Sequence, residues 1–112
     1  VFTYMNFKFK NNAQPGVGHL NHFRSSEMYL IEAEADYHLS KTSEAQALLN
    51  ELTCKSGRDA SYKCTATGTA LLSEIKFYRK IELWGEGFNW FDLKRWGDAV
   101  VRNSPDNGGN FL

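Results

Sequence analysis

The sequence predicts an all-α fold of paired helices. Three observations lead there: apolar residues recur at helical spacing in three long stretches, two of those stretches carry apolar residues on two faces, and a two-faced and a one-faced stretch are joined by the short turn "SKT". A helix with two apolar faces needs cover from two directions. Paired inner and outer helices of this kind are the repeating unit of helical solenoids such as tetratricopeptide arrays. The expected architecture is therefore tetratricopeptide-like helical pairs with loops and a short extended segment at the start, read as a fragment of a larger α protein and as a single partial domain over residues 1–112.

Residues 1–10, "VFTYMNFKFK", put Phe2 and Tyr4 on one side of an extended chain and Phe7 and Phe9 on the other, which suggests a strand or an aromatic strap. Pro15, Gly16 and Gly18 then mark a loop. The first helix is expected from Ser25 to about Ser40. Met28, Ile31, Ala35 and Leu39 form one apolar arc, and Tyr29, Leu30, Ala33 and Tyr37 form another. Glu32 and Asp36 lie between the arcs on one side, and Glu27, Glu34 and His38 on the other. The second helix opens with Ser43 and Gln46 spaced as a capping box and carries a single stripe of Ala45, Leu48, Leu49 and Leu52 before Gly57.

A third helix is expected from about Thr69 to Trp84. Leu71, Leu72, Ile75, Tyr78 and Leu83 define its main arc, with Arg79 and Glu82 projecting inside it, while Ser73, Lys76 and Lys80 form a wedge toward water. Phe77, Ile81 and Trp84 lie beyond that wedge and ask for cover of their own. Gly85 and Gly87 break the helix, and a short one follows from about Phe88 to Trp96. Its apolar residues spread around the whole circumference, so it is expected to be buried.

Thirteen basic and thirteen acidic residues cancel to a formal charge of zero, which gives no field to attract nucleic acid. No apolar run reaches the roughly 18 residues of a membrane-spanning helix. Cys54 and Cys64 lie in polar loop flanks, compatible with a local disulfide or with two thiols. His19, His22 and His38 are too sparse for a metal site, and no nucleophile triad or phosphate loop is present.

The stretch "ELWGEGFNWFDLKRWGD" over residues 82–98 holds all three tryptophans and carries the main chemical candidates. Glu82, Glu86 and Asp92 are numerous enough for a glycosidase, which needs two carboxyl groups about 5 to 10 Å apart. Arginines alternate with them, however, and arginine neighbours depress carboxyl pKa values and so disfavour a general acid. Asp92 and Arg95 are spaced to pair, as are Arg79 and Glu82. Arg79, Glu82, Glu86, Asp92 and Arg95 are thus expected to be a structural clamp at the corner between the last two helices. No catalytic, cofactor-binding or metal-binding residue is assigned. Trp84, Trp90 and Trp96 are read as core in preference to sugar platforms.

The blocks "RSSEMYLIEAEADYHL" from Arg24, "SEAQALLNEL" from Ser43 and "EIKFYRKIELWGEGFNWFDLKRWG" from Glu74 closely resemble the SusD/RagB family of nutrient-binding outer-membrane lipoproteins of Bacteroidetes. Arg-x-x-Glu-Leu, Gly-Glu-Gly and Asp-Leu-Lys-Arg-Trp fall in the family's order and spacing. The resemblance implies a mostly helical binding protein with no enzymatic activity and no cofactor. It also implies a lipidated N-terminal cysteine as the sole membrane attachment, exposure on the cell surface, and delivery of oligosaccharide or another nutrient to a TonB-dependent transporter. The chain would then be a C-terminal portion. Ligand contacts in this family come largely from insertions between helical pairs, so none is assigned, and the five clamp residues carry over only as scaffold. Tyr78 and the Cys54 loop depart from the family pattern. A tetratricopeptide-like protein-interaction module without nutrient binding is the rival reading.

Overall fold

The computed structural model describes residues 23–55 and 58–100. The extended segment expected at residues 1–10, and His19 and His22, lie outside them. The described residues are helical in four places, with no strand among them: α1 (Ser25–His38), α2 (Thr42–Asn50), α3 (Gly68–Glu82) and α4 (Phe88–Trp96), with a π-helical turn Glu51–Lys55 continuing α2. No helix of the described residues is long and apolar enough to cross a membrane.

α1 ends where Ser40 takes a left-handed conformation at φ 62°. The Ser40 N–H donates to Tyr37 O at 3.0 Å and the Lys41 N–H to Asp36 O at 2.8 Å, the paired bonds that close a helix C-terminus in a tight reversal. Lys41 Nζ adds an ion pair to Asp36 Oδ1 at 3.4 Å. The chain turns at once into α2, and α1 packs against both α2 and α3. The expected capping box is not formed at the start of α2. The helix begins one residue earlier than Ser43, whose hydroxyl turns to Glu44, while the Gln46 amide donates to Ala66 O at 2.7 Å. A long-range acceptor has taken the side chain that a local cap would use.

The core is made by Leu30 and Ala33 of α1, Ala45 and Leu49 of α2, Leu52 after it, Leu71 and Ile75 of α3, with Cys64 and Leu83 closing its edges. Each fully buried leucine or isoleucine contributes about 1.5–3 kcal/mol. Tyr37, Tyr62, Tyr78 and Phe88 pack around this cluster. Of the two arcs of α1, the one with Leu30 and Ala33 faces inward. The other stays open, with Met28 54%, Ile31 46% and Leu39 65% exposed.

α3 shows the same division. Leu71, Ile75, Arg79 and Glu82 are buried, while Phe77, Ile81 and Trp84 remain more than half exposed. Lys76 departs from the expected water-facing wedge: its Nζ bonds both oxygens of Asp98 at 3.0 Å and lies 4.9 Å from the Trp96 ring centroid. α4 is less enclosed than its all-round apolar pattern predicts, since Asp92 is its one buried residue and Trp90 and Phe91 are exposed. An apolar circumference calls for neighbours on every side, and the described helices cover one.

α4 is delimited by two glycines. Gly87 precedes it at φ 88° and Gly97 follows at φ 69°. The Gly97 N–H donates to Lys94 O at 3.3 Å and the Asp98 N–H to Leu93 O at 3.0 Å, a paired C-terminal cap that delivers Asp98 to Lys76.

Candidate functional site

The charged residues gather in two clusters where α1, α3 and α4 meet. The first runs as a circuit. Glu27 and Glu34 stand on one face of α1, seven residues apart. Glu34 receives both terminal nitrogens of Arg95, at 2.5 and 2.6 Å, and the Trp96 indole N–H at 2.8 Å. Arg95 Nε donates to Asp92 Oδ1 at 3.0 Å, and Arg79 Nε donates to the other oxygen of Asp92 at 2.6 Å. Arg79 Nη2 closes the circuit at Glu27 Oε1, 3.9 Å away. Alternating charges thereby link α1 to α4, α4 to α3, and α3 back to α1.

Glu34, Asp92 and Arg79 are buried, so each charge survives there by being paired. Burial alone would raise the Glu34 pKa, but the hydrogen bonds from Arg95 and Trp96 outweigh it and hold the carboxyl below its ordinary value. The bond to Glu34 pushes the Arg95 guanidinium further up, against the opposing pull of desolvation. Arg79 also lies over the Phe88 ring, 5.6 Å from its centroid.

The second cluster sits at the C-terminal end of α3. Arg24, just ahead of α1, pairs with Glu82, donates to Glu86 Oε1 at 2.5 Å, and donates to the backbone oxygen of Glu82 at 3.0 Å. Arg58, from the loop after the π-helical turn, also pairs with Glu82. Cations suit this position because the carbonyl end of a helix carries partial negative charge. Desolvation pulls the Arg24 pKa down, and the two glutamates more than reverse it.

Two clefts lie among the described residues, the second of them lined by members of the second cluster. One of about 500 Å³ is lined by Leu83, Trp84, Gly87, Asn89 and Trp90. The other, about 450 Å³, is lined by Arg24, Arg58, Tyr78, Glu82 and Trp84. Among the described residues, no group of three or more His, Cys, Asp or Glu side chains is placed to hold a metal ion.

Comparison with known proteins is decisive on kinship. The family model described as "SusD family" matches residues 2–110. The chain belongs to the SusD family. A SusD-like protein P38 from Formosa agariphila is 30% identical over 110 residues, covering 88% of this chain and 22% of that relative. The chain thus spans about a fifth of the length of the curated relative it matches. No solved structure matches the chain.

The structure divides the five residues read from this SusD family sequence as one clamp. Arg79, Asp92 and Arg95 meet in the first cluster, while Glu82 and Glu86 belong to the second. Asp92 and Arg95 pair as their spacing suggests, but Arg79 donates to Asp92 across thirteen positions, and the Glu82 carboxylate takes Arg24 and Arg58. The clusters also take in Arg24, Arg58, Glu27 and Glu34, which the expected clamp does not include. Arg24 opens the first of the quoted blocks and Glu27 and Glu34 fall inside it, whereas Arg58 lies in a loop outside every helical pattern. Trp84 and Trp90, read as core, are 53% and 59% exposed and border the first cleft. Trp96 is engaged by Glu34 and Lys76.

Proposed function

We propose that this chain is the C-terminal helical portion of a surface nutrient-binding protein, which captures oligosaccharide non-covalently and passes it to a TonB-dependent outer-membrane transporter. The match of the family model across residues 2–110 carries the reading. Residues 1–112 would form one partial domain of that protein, held at the outer face of the outer membrane by an N-terminal lipid. Arg79, Glu82, Glu86, Asp92 and Arg95 serve as scaffold in this reading, with Arg24, Arg58 and Glu34 added.

The site chemistry supports binding over hydrolysis. Glycoside hydrolysis needs one carboxyl held protonated beside another held ionised. Glu82, Glu86 and Asp92 are each engaged by an arginine, so the geometry sets no pair of them apart as an acid and a nucleophile. The open apolar arcs of α1 and α3 are the surfaces on which further helices of a longer protein would pack. The test is a glycan array probed with the full-length protein, followed by uptake of the bound glycan with and without the neighbouring transporter. Binding without product release, with uptake dependent on both proteins, is expected. Absence of any glycan binding would overturn the reading.

The same exposed arcs favour a second reading, a tetratricopeptide-like module that binds protein. A signal peptide ending at cysteine upstream in the gene favours the first reading, and its absence the second.

A further inference from the structure

Residues 62–66 run in reverse alongside α2 and the π-helical turn, tied at three rungs. The Gln46 amide donates to Ala66 O at 2.7 Å, Asn50 Oδ1 accepts the Cys64 N–H at 2.7 Å, and the Cys54 thiol donates to Tyr62 O at 2.8 Å. Each rung advances four residues along the helical side and two along the facing segment. That register brings Cys54 and Cys64 to adjacent rungs on facing elements.

Both cysteines are free thiols. Cys64 is buried and turns its sulfur to Glu74 Oε2 at 3.2 Å, while the Tyr62 hydroxyl holds Glu74 Oε1 at 2.8 Å. Cys54 is only partly buried. Between the two lies the loop that carries Arg58 to Glu82 and to the wall of the second cleft.

We propose that Cys54 and Cys64 are a dithiol that closes into an intramolecular disulfide when the protein meets a thiol–disulfide oxidant, fastening the Arg58 loop against the helical core. The Cys54 thiolate, the more accessible, attacks a sulfur of the oxidant's disulfide, forming a mixed disulfide and expelling one thiolate. The Cys64 thiolate then attacks Cys54 Sγ, forming the internal bond and expelling the second thiolate of the oxidant. The two cysteines lose two protons and two electrons, and the oxidant gains both. Burial and the neighbouring Glu74 raise the Cys64 thiol pKa, which agrees with Cys64 acting second. Once the bond closes, Glu74 keeps its bond from Tyr62, so a local acceptor loses one donor without being orphaned.

The experiment is independent of where the protein resides. Reduced full-length protein is incubated with oxidised glutathione, alkylated with iodoacetamide and digested with trypsin, which cuts after Lys41, Lys55, Lys63 and Lys76. Peptide 42–55 joined to peptide 64–76, with loss of alkylation at both cysteines and recovery on reduction, is the expected result. Cys54→Ser should abolish the joined peptide. Slower amide exchange across residues 58–62 in the oxidised protein is expected alongside it. Alkylation of both thiols, or separate glutathione adducts without the joined peptide, would overturn the closure. Unchanged exchange in the closed protein would overturn the fastening of the loop.

Discussion

Arg95 lays both terminal guanidinium nitrogens on the two carboxylate oxygens of Glu34, at 2.5 and 2.6 Å, across 61 positions of sequence. A bidentate pair of this kind fixes direction as well as distance, so α4 is oriented on α1 by two parallel bonds. The Trp96 indole uses the same carboxylate, which leaves Glu34 with three donors in a largely desolvated setting.

Acid sensitivity follows from Glu34. Its carboxyl is held below the ordinary value of 4.5, so its contribution is fully present above pH 4.5 and is lost as pH falls through the lower folded-state value. In urea titrations of the full-length protein, Glu34→Gln should lower stability by about 2 kcal/mol at pH 7. The gap between the two proteins should narrow steadily below pH 4.5. A gap that stayed constant with acidification would show that the charge of Glu34 plays no part.

Arg79 joins α3 to α4 through Asp92 and reaches α1 through Glu27. Its replacement by alanine leaves the buried Asp92 with Arg95 alone, and an interrupted buried pair of this sort costs about 3 kcal/mol. Thermal unfolding of full-length Arg79→Ala checks it, and an unchanged melting temperature counts against the clamp.

Gly97 sits at φ 69° with no atom within 4 Å of where a Cβ would project. Gly97→Ala therefore meets backbone strain without a clash and should cost about 1 kcal/mol. Because the same cap presents Asp98 to Lys76, an Asp98→Asn change in that background should add little. Additivity of the two single effects would indicate that cap and ion pair are independent.

Purified full-length protein is expected to release no reducing ends from any glycan, since the three candidate carboxylates are each committed to arginine. Product formation that disappears in Glu86→Gln would identify a catalytic site in the second cluster.

The chain of residues 1–112 on its own presents Met28 and Ile31 of α1 with Leu39 just after it, and Phe77 and Ile81 of α3 with Trp84 just after it, to solvent. Exposed apolar surface of this extent drives association. Sedimentation should show concentration-dependent oligomers, reduced by the double change Ile31→Glu and Ile81→Glu. A monomeric, cooperatively folding chain that binds oligosaccharide as tightly as the full-length protein would refute the reading of residues 1–112 as a partial domain.

The sequence by itself determined the helices. Their starts and ends follow from the 3.6-residue period, from Gly85, Gly87 and Gly97, and from the short turn after α1, all of which act over one or two helical turns. It also determined that α1 and α3 carry two apolar faces, and that Asp92 and Arg95 stand close enough to pair. Only the tertiary structure decided which face of α1 is covered, that Gln46 serves Ala66 instead of a cap, and that Lys76 turns from solvent to Asp98. It alone brought Arg24 and Arg58 to Glu82, and Glu34 to Arg95. These choices depend on contacts between groups as far as 61 positions apart. Helical spacing says which side chains share a face, but a buried charge takes whichever opposite charge the packing of other elements delivers to it.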